Sequence, residues 1–184
     1  MSFRIDFKAY DDRENGGGRI VRGWATRPGE DRDGDIVLPL GALFKLPLPF
    51  LLDHKSDRAI GSVDAAEVSE DGIRFVASVR QIDNDTEVAR ACDNAWQLLQ
   101  SGLRSHVSIG FRALAFEPRD TRGYIIKEWE WLELSAVTIP ANPGAEITAL
   151  KSYGGGAVAG GTIKLLDARA TLPVGCFRLI RSSA

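Results

Sequence analysis

The chain has 184 residues, of which 44% are hydrophobic and 26% charged, enough for one domain that buries about two-thirds of its unfolded surface. Its 23 basic and 25 acidic residues leave a net charge of −2, which excludes the basic footprint of a nucleic-acid or anionic-membrane binder. Two histidines and two cysteines, Cys92 and Cys176, would all be consumed by one structural zinc site and show no zinc-ligand spacing, so neither metal nor cofactor is expected. The lack of a Cys-x-x-Cys pair argues against a redox motif or disulfide framework and for a reducing cytosol. No apolar run reaches the roughly 18 residues of a membrane span, and Met1 to Asp12 lacks the apolar centre of a signal peptide.

Phe3, Ile5 and Phe7 alternate with Arg4, Asp6 and Lys8, the period-2 pattern of a half-buried strand. Gly16-Gly17-Gly18 predicts a turn, and Arg19 to Thr26 the returning strand. In the polar loop that follows, Asp31-Arg32-Asp33-Gly34-Asp35 imitates the opening of a calcium loop. Its glycine is at the wrong offset and Ala42 stands where the closing glutamate belongs, so calcium is not expected. Leu38 to Gly41 leads into an apolar segment broken by Pro47 and Pro49. Ala59 to Ala66 and Gly72 to Arg80 read as extended segments joined by a turn over Ser69-Glu70-Asp71-Gly72.

One stretch is helical: between Asp85 and Ser101, Val88, Ala91, Cys92, Ala95, Leu98 and Leu99 recur at three- and four-residue spacing. Asn84 is the expected cap, with Glu87 completing a capping box, and Gly102 the left-handed stop. Strands resume over His106 to Phe116, Gly123 to Glu128 and Trp129 to Ile139, ended by Pro140-Ala141-Asn142-Pro143-Gly144. The expected fold class is β-rich α+β: a single-domain, closed or curled, mostly antiparallel β-barrel with one main helix. Lys151 to Gly161 has linker composition. The domain is therefore expected over residues 1–149, with 150–184 a Gly-rich linker and tail able to dock on it or on another subunit.

Three residues stand out as chemistry-bearing. His54 ends the apolar run Pro49-Phe50-Leu51-Leu52-Asp53; an imidazole there suits a general base, or a hydrogen-bonded structural histidine. Ser108 shares a strand face with His106 and Gly110, opposite Val107, Ile109 and Phe111, and Gly110 leaves room for a substrate backbone. A serine needs an imidazole in reach to act as nucleophile, and without one it is only a strand serine. Glu133 lies between Leu132 and Leu134, on one expected face with Trp129, Trp131, Ser135 and Val137. A carboxylate in such a stretch is costly unless paired, either with a histidine that it orients or with an arginine such as Arg112. His106, two residues from Ser108, has a weaker claim on the same site.

Taken in order, these motifs resemble the tailed-bacteriophage prohead serine proteases, the capsid-maturation enzymes of the caudovirus family, with the fold of the herpesvirus maturation protease assemblin. The resemblance runs from Gly23 to Ala149. It is carried by Gly23-Trp24-Ala25-Thr26, Asp33-Gly34-Asp35 leading to Gly41-Ala42, Leu52-Asp53-His54, Val107-Ser108-Ile109-Gly110-Phe111, and Glu133-Leu134-Ser135-Ala136-Val137 running into Pro140-Ala141-Asn142-Pro143. It implies a serine endopeptidase with His54 as base, Ser108 as nucleophile and Glu133 as the orienting acid. It further implies scaffold and major capsid proteins as substrates, action within the phage prohead in the bacterial host cytoplasm, and a homodimer for which the helix over Asn84–Ser101 offers a contact. Self-trimming between Lys151 and Lys164 is expected from the small residues there. Two non-enzymatic readings stand beside it: a catalytically silent capsid-associated scaffold of the same fold, and a β-barrel binding module in which Glu133 pairs with arginine.

Overall fold

A computed structural model describes residues 18–153 together with 163 and 164; the expected first strand over Phe3 to Lys8 lies outside them. The described residues fold as a β-rich domain with one α-helix. In chain order come β1 (Arg19–Thr26), β2 (Ile36–Val37), a 3₁₀ turn (Pro39–Gly41), β3 (Ala42–Leu43), β4 (Leu48–Leu52), β5 (Lys55–Ser69) and β6 (Gly72–Val79). Then follow α1 (Glu87–Gln100), β7 (His106–Pro118), β8 (Tyr124–Val137), β9 (Ile147–Ser152) and β10 (Ile163–Lys164).

The sheet runs β10-β9-β1-β6-β5-β4-β8-β2, with β3 and β7 also paired to β8. This ladder is open; it is not the closed barrel that the sequence allowed. An isolated bridge joins His106 to Glu146, and Val107 N–H donates to Ala145 O at 3.2 Å while Ile147 N–H donates to Ser105 O at 3.0 Å. These bonds bring the start of β7 beside the start of β9. The expected domain limit at residue 149 falls inside β9, which pairs with β1 as far as Ser152; Ile163 and Lys164 pair back on Leu150 and Ala149.

Most strands lie where alternation put them, and β5–β6 turns where Ser69 and Gly72 were expected, with Ser69 Oγ donating to Gly72 O and Gly72 at φ 135°. Two local corrections have physical causes. Thr86, not Asn84, caps α1: its Oγ1 accepts from Ala89 N–H at 3.1 Å, and the N3 position is then Ala89, so there is no capping box. The buried stripe is Ala89, Cys92, Ala95, Trp96 and Leu99, while Val88 is exposed; the helix is turned to bury the large indole of Trp96.

The second correction concerns β8. The expected two strands are one, and its core residues are Ile126, Trp129, Trp131, Leu134 and Ala136, a sequence of intervals that alternation alone cannot produce. Between Gly110–Glu133 and Phe111–Trp131 the pairing slips, leaving Leu132 as the extra residue of a β-bulge. The slip inverts the pleat, so Trp129 and Trp131 enter the core although Glu133 and Ser135 do not join them.

Candidate active site

His54 is presented by the tightest turn in this region. Leu52 pairs with Lys55, so β4 and β5 are joined by only Asp53 and His54, at φ 55° and 57°. Two consecutive left-handed residues are the geometry of a type I′ hairpin, which neither Asp nor His adopts without cost. The strain is held by β8: Asp53 N–H donates to Ala136 O at 3.1 Å and His54 N–H donates to Ser135 Oγ at 3.0 Å. Both bonds exist because β4 lies parallel to β8, with Leu51 opposite Ser135 and Leu52 opposite Ala136.

From that turn the imidazole meets Glu133, Nδ1 lying 2.7 Å from Oε1. A carboxylate can only accept, so Nδ1 carries the hydrogen and Nε2 of the neutral ring is left as the acceptor. The second carboxylate oxygen, Oε2, accepts from Ser135 Oγ at 2.8 Å. Ser135 thus joins His54 backbone to Glu133 side chain and is fully buried. It is not among the three residues the sequence singles out; its signal there is its place two residues from Glu133, within the Glu133–Val137 block. The hydrogen bond from His54 to Glu133 raises the imidazole pKa above its ordinary 6.5; burial opposes this, and the negative charges of Glu133 and Asp53 add to the rise.

β7 forms the other half of the site. Ser108 stands opposite Ser135 and Gly110 opposite Glu133. The Glu133 carboxylate lies over Gly110, filling the place of a side chain there. Ser108 is 93% buried by difference from its 7% exposure and borders a cavity of about 30 Å³ with Ala25, Thr26, Ala141 and Asn142. Its Oγ makes no hydrogen bond to His54 among the described residues. The structure therefore brings His54 and Glu133 into contact and sets Ser108 across the ladder from Ser135, which touches both.

The remaining sequence candidates go elsewhere. Arg112 pairs with Glu130, Nη2 to Oε2 at 2.5 Å, which removes the alternative of an Arg112–Glu133 pair. His106 Nδ1 lies 3.0 Å from its neighbour Ser105 Oγ. In the Asp31 loop the carboxylate serves the backbone, Asp31 Oδ1 accepting from the N–H groups of Asp33 and Asp35. Among the described residues no group of three or more His, Cys, Asp or Glu is placed to hold a metal ion, and no helix is long and apolar enough to cross a membrane.

Comparison with known proteins gives the relationships of the chain. It is 44% identical over 149 residues to the capsid polyprotein of Pseudomonas phage PAJU2, covering 80% of this chain and 22% of that one; it thus spans about a fifth of that relative. It is 29% identical over 159 residues to the prohead protease of Escherichia phage T5, covering 80% of this chain and 70% of the relative. Among solved structures the varicella-zoster virus protease superposes with a TM-score of 0.47 and 15% identity, over 71% of this chain and 63% of that one. Residues 42–154, a span that holds His54, Ser108 and Glu133, match the model of the caudovirus prohead serine proteases, and the chain belongs to that family.

Proposed function

We propose that this chain is a serine endopeptidase of capsid maturation in which His54, Ser108 and Glu133 form the catalytic triad. The observation that carries this is the 2.7 Å contact between His54 Nδ1 and Glu133 Oε1, Glu133 lying on β8, which pairs with the strand that holds Ser108. With Nδ1–H committed to Glu133, Nε2 takes the proton of Ser108 Oγ as the oxygen attacks a peptide carbonyl. Glu133 holds the ring and stabilises its cation. The protonated His54 then gives its proton to the leaving amine, and water releases the acyl group by the reverse relay. The base–nucleophile contact closes when substrate fills the site, as such contacts often tighten only in the complex; the imidazole, with a side chain 43% exposed, has room to make it.

The substrates in this reading are phage scaffold and major capsid proteins, and the chain itself, inside the prohead of an infected cell. The capsid polyprotein among its relatives supports a link between protease and capsid chains. The reading also takes the sheet as curled toward an assemblin-like barrel, which the His106–Glu146 bridge supports, and residues 150–184 as an appended tail. A homodimer through α1 belongs to the same reading, resting on the resemblance alone.

A fluorophosphonate probe tests the chemistry. Labelling of Ser108 that is lost in both Ser108→Ala and His54→Ala is expected. Labelling that persists at full rate in His54→Ala would falsify the triad, and wild-type protein that takes up no probe at Ser108 would favour the silent scaffold.

A further inference from the structure

The turn that presents His54 has a second support on the side away from Glu133. The guanidinium of Arg104 grips the Asp53 carboxylate with a two-pronged bond, Nε to Oδ1 and Nη2 to Oδ2, both at 3.1 Å. Such a fork fixes direction as well as distance, which a single-point contact with lysine cannot do. Arg104 is itself anchored: its N–H donates to Leu98 O at 3.1 Å, at the end of α1, just after Gly102 turns the chain at φ 73°. Two residues later the same segment becomes β7, which carries Ser108.

This places the clamp and the nucleophile on one short, continuous piece of chain, residues 104–108. The fork ties that piece to the two-residue turn whose left-handed backbone is the least relaxed in the site. Without it, the backbone of Asp53 and His54 would be held only by its two bonds to β8, with the His54 side chain on Glu133, and the turn would gain freedom to relax toward ordinary dihedrals. We infer that Arg104 is a positioning residue of the protease, fixing the Asp53–His54 turn so that the imidazole spans Glu133 and Ser108. This rests on the reading of His54 as the base.

The charge arrangement separates two effects: the His54 midpoint follows the charge, and the labelling rate at matched charge follows the position of the ring. The charged groups that act on the imidazole are Glu133 from β8 and Asp53 in its own hairpin, with Arg104 paired to Asp53. Asp53 favours the protonated ring, and Arg104 offsets Asp53. Removing Arg104 leaves that carboxylate uncompensated; removing the carboxylate does the reverse.

The test follows His54 by NMR titration and Ser108 by its rate of fluorophosphonate labelling against pH, in the full chain. With two histidines in the sequence, assignment needs one variant, His106→Gln. Arg104→Gln should slow labelling by roughly 10-fold or more and move the His54 midpoint up. Asp53→Asn should also slow labelling but move the midpoint down. Arg104→Lys, which keeps the charge and loses the fork, should leave the midpoint near that of the wild type and still label slowly. If Arg104→Gln lowers the melting temperature but leaves both midpoint and labelling rate unchanged, Arg104 is a structural tie and the inference is overturned. Labelling that is independent of His54 sinks the base reading and the inference with it. Labelling that needs His54 but not Arg104 sinks the inference alone. Circular dichroism of each variant verifies that the comparison is made on folded protein.

Discussion

Gly110 and Glu133 stand opposite each other across the β7–β8 ladder, and a Cβ on Gly110 would lie 2.1 Å from Glu133 Oε1. That separation is shorter than any non-bonded contact, and the atom in the way belongs to the carboxylate that holds His54. Gly110→Ala must therefore push Glu133 off the imidazole. Flexible side-chain ends can yield, so the fold should survive. The expected result is a loss of Ser108 labelling on the order of 100-fold, with far-UV circular dichroism unchanged. Wild-type labelling in Gly110→Ala would mean that the Glu133 position has no part in catalysis.

Ser135 makes a complementary prediction. Its hydroxyl donates to Glu133 Oε2 and accepts from His54 N–H, so Ser135→Ala removes two constraints and leaves a part-buried N–H without its partner. A typical hydrogen bond contributes about 0.5–1.5 kcal/mol, and the melting temperature should fall accordingly. Labelling should drop as well, because the imidazole and the carboxylate lose their common link. A drop in stability with full reactivity would confine Ser135 to a structural role.

How far the sequence could be read depended on whether the signal was local. The extended segments that became β1 and β6, the alternation in the first half of β7, the Ser69–Gly72 turn and the Gly102 stop are all written in neighbouring residues, and the structure agrees with them. The bulge at Leu132 is not: it accompanies long-range packing, with Trp131 against Phe44, their rings 5.2 Å apart edge to face, and Leu134 in the core on the far side of the slip. Simple alternation therefore grouped Glu133 with the two tryptophans. The choice of Thr86 over Asn84 was equally invisible, since Asn84, Asp85 and Thr86 are all competent caps. Among the site residues, His54, Ser108 and Glu133 carried recognisable local motifs. Arg104 did not, because it matters only through Asp53, distant in sequence; Ser135 lies inside the Glu133–Val137 block, but its bond to the His54 backbone is made only by the fold.

The raised His54 pKa sets the direction of two pH effects. To act as the proposed base the ring must be neutral, so labelling of Ser108 should rise with pH through a midpoint above the ordinary 6.5. Stability should respond in the opposite sense. A group whose pKa is raised on folding contributes fully below its unfolded value, and the contribution is lost as pH rises through the folded value. Glu133→Gln replaces the charge that causes the rise. Its labelling midpoint should move down toward the ordinary value, its maximum rate should fall, and the part of its stability that disappears with rising pH in the wild type should be missing at the outset. Parallel pH profiles of labelling and of melting temperature check both; a midpoint unmoved by Glu133→Gln contradicts the assignment of the rise to this pair.

The tail supplies the last prediction, and the sheet narrows where it acts. Self-trimming anywhere from Lys151 to Lys164 was open on sequence grounds. Lys151 and Ser152, however, are paired with Ile20 and Arg19 of β1, and Ile163 and Lys164 with Leu150 and Ala149 of β9. A peptide bond entering a protease site must be free of such ladders, since the enzyme binds its substrate extended and with its own hydrogen bonds. The cut is therefore expected between residues 153 and 162, a stretch of glycine, alanine and valine with a single tyrosine and a single threonine. Incubated wild-type chain should lose the mass of everything after one of these bonds, while Ser108→Ala keeps its full mass. Because Ile163 and Lys164 are held to β9, the released fragment should stay with the domain in native mass spectrometry and separate only on denaturation. Identical intact masses for the two chains would exclude self-trimming, and a cut inside residues 147–152 would show that β9 must first leave the sheet.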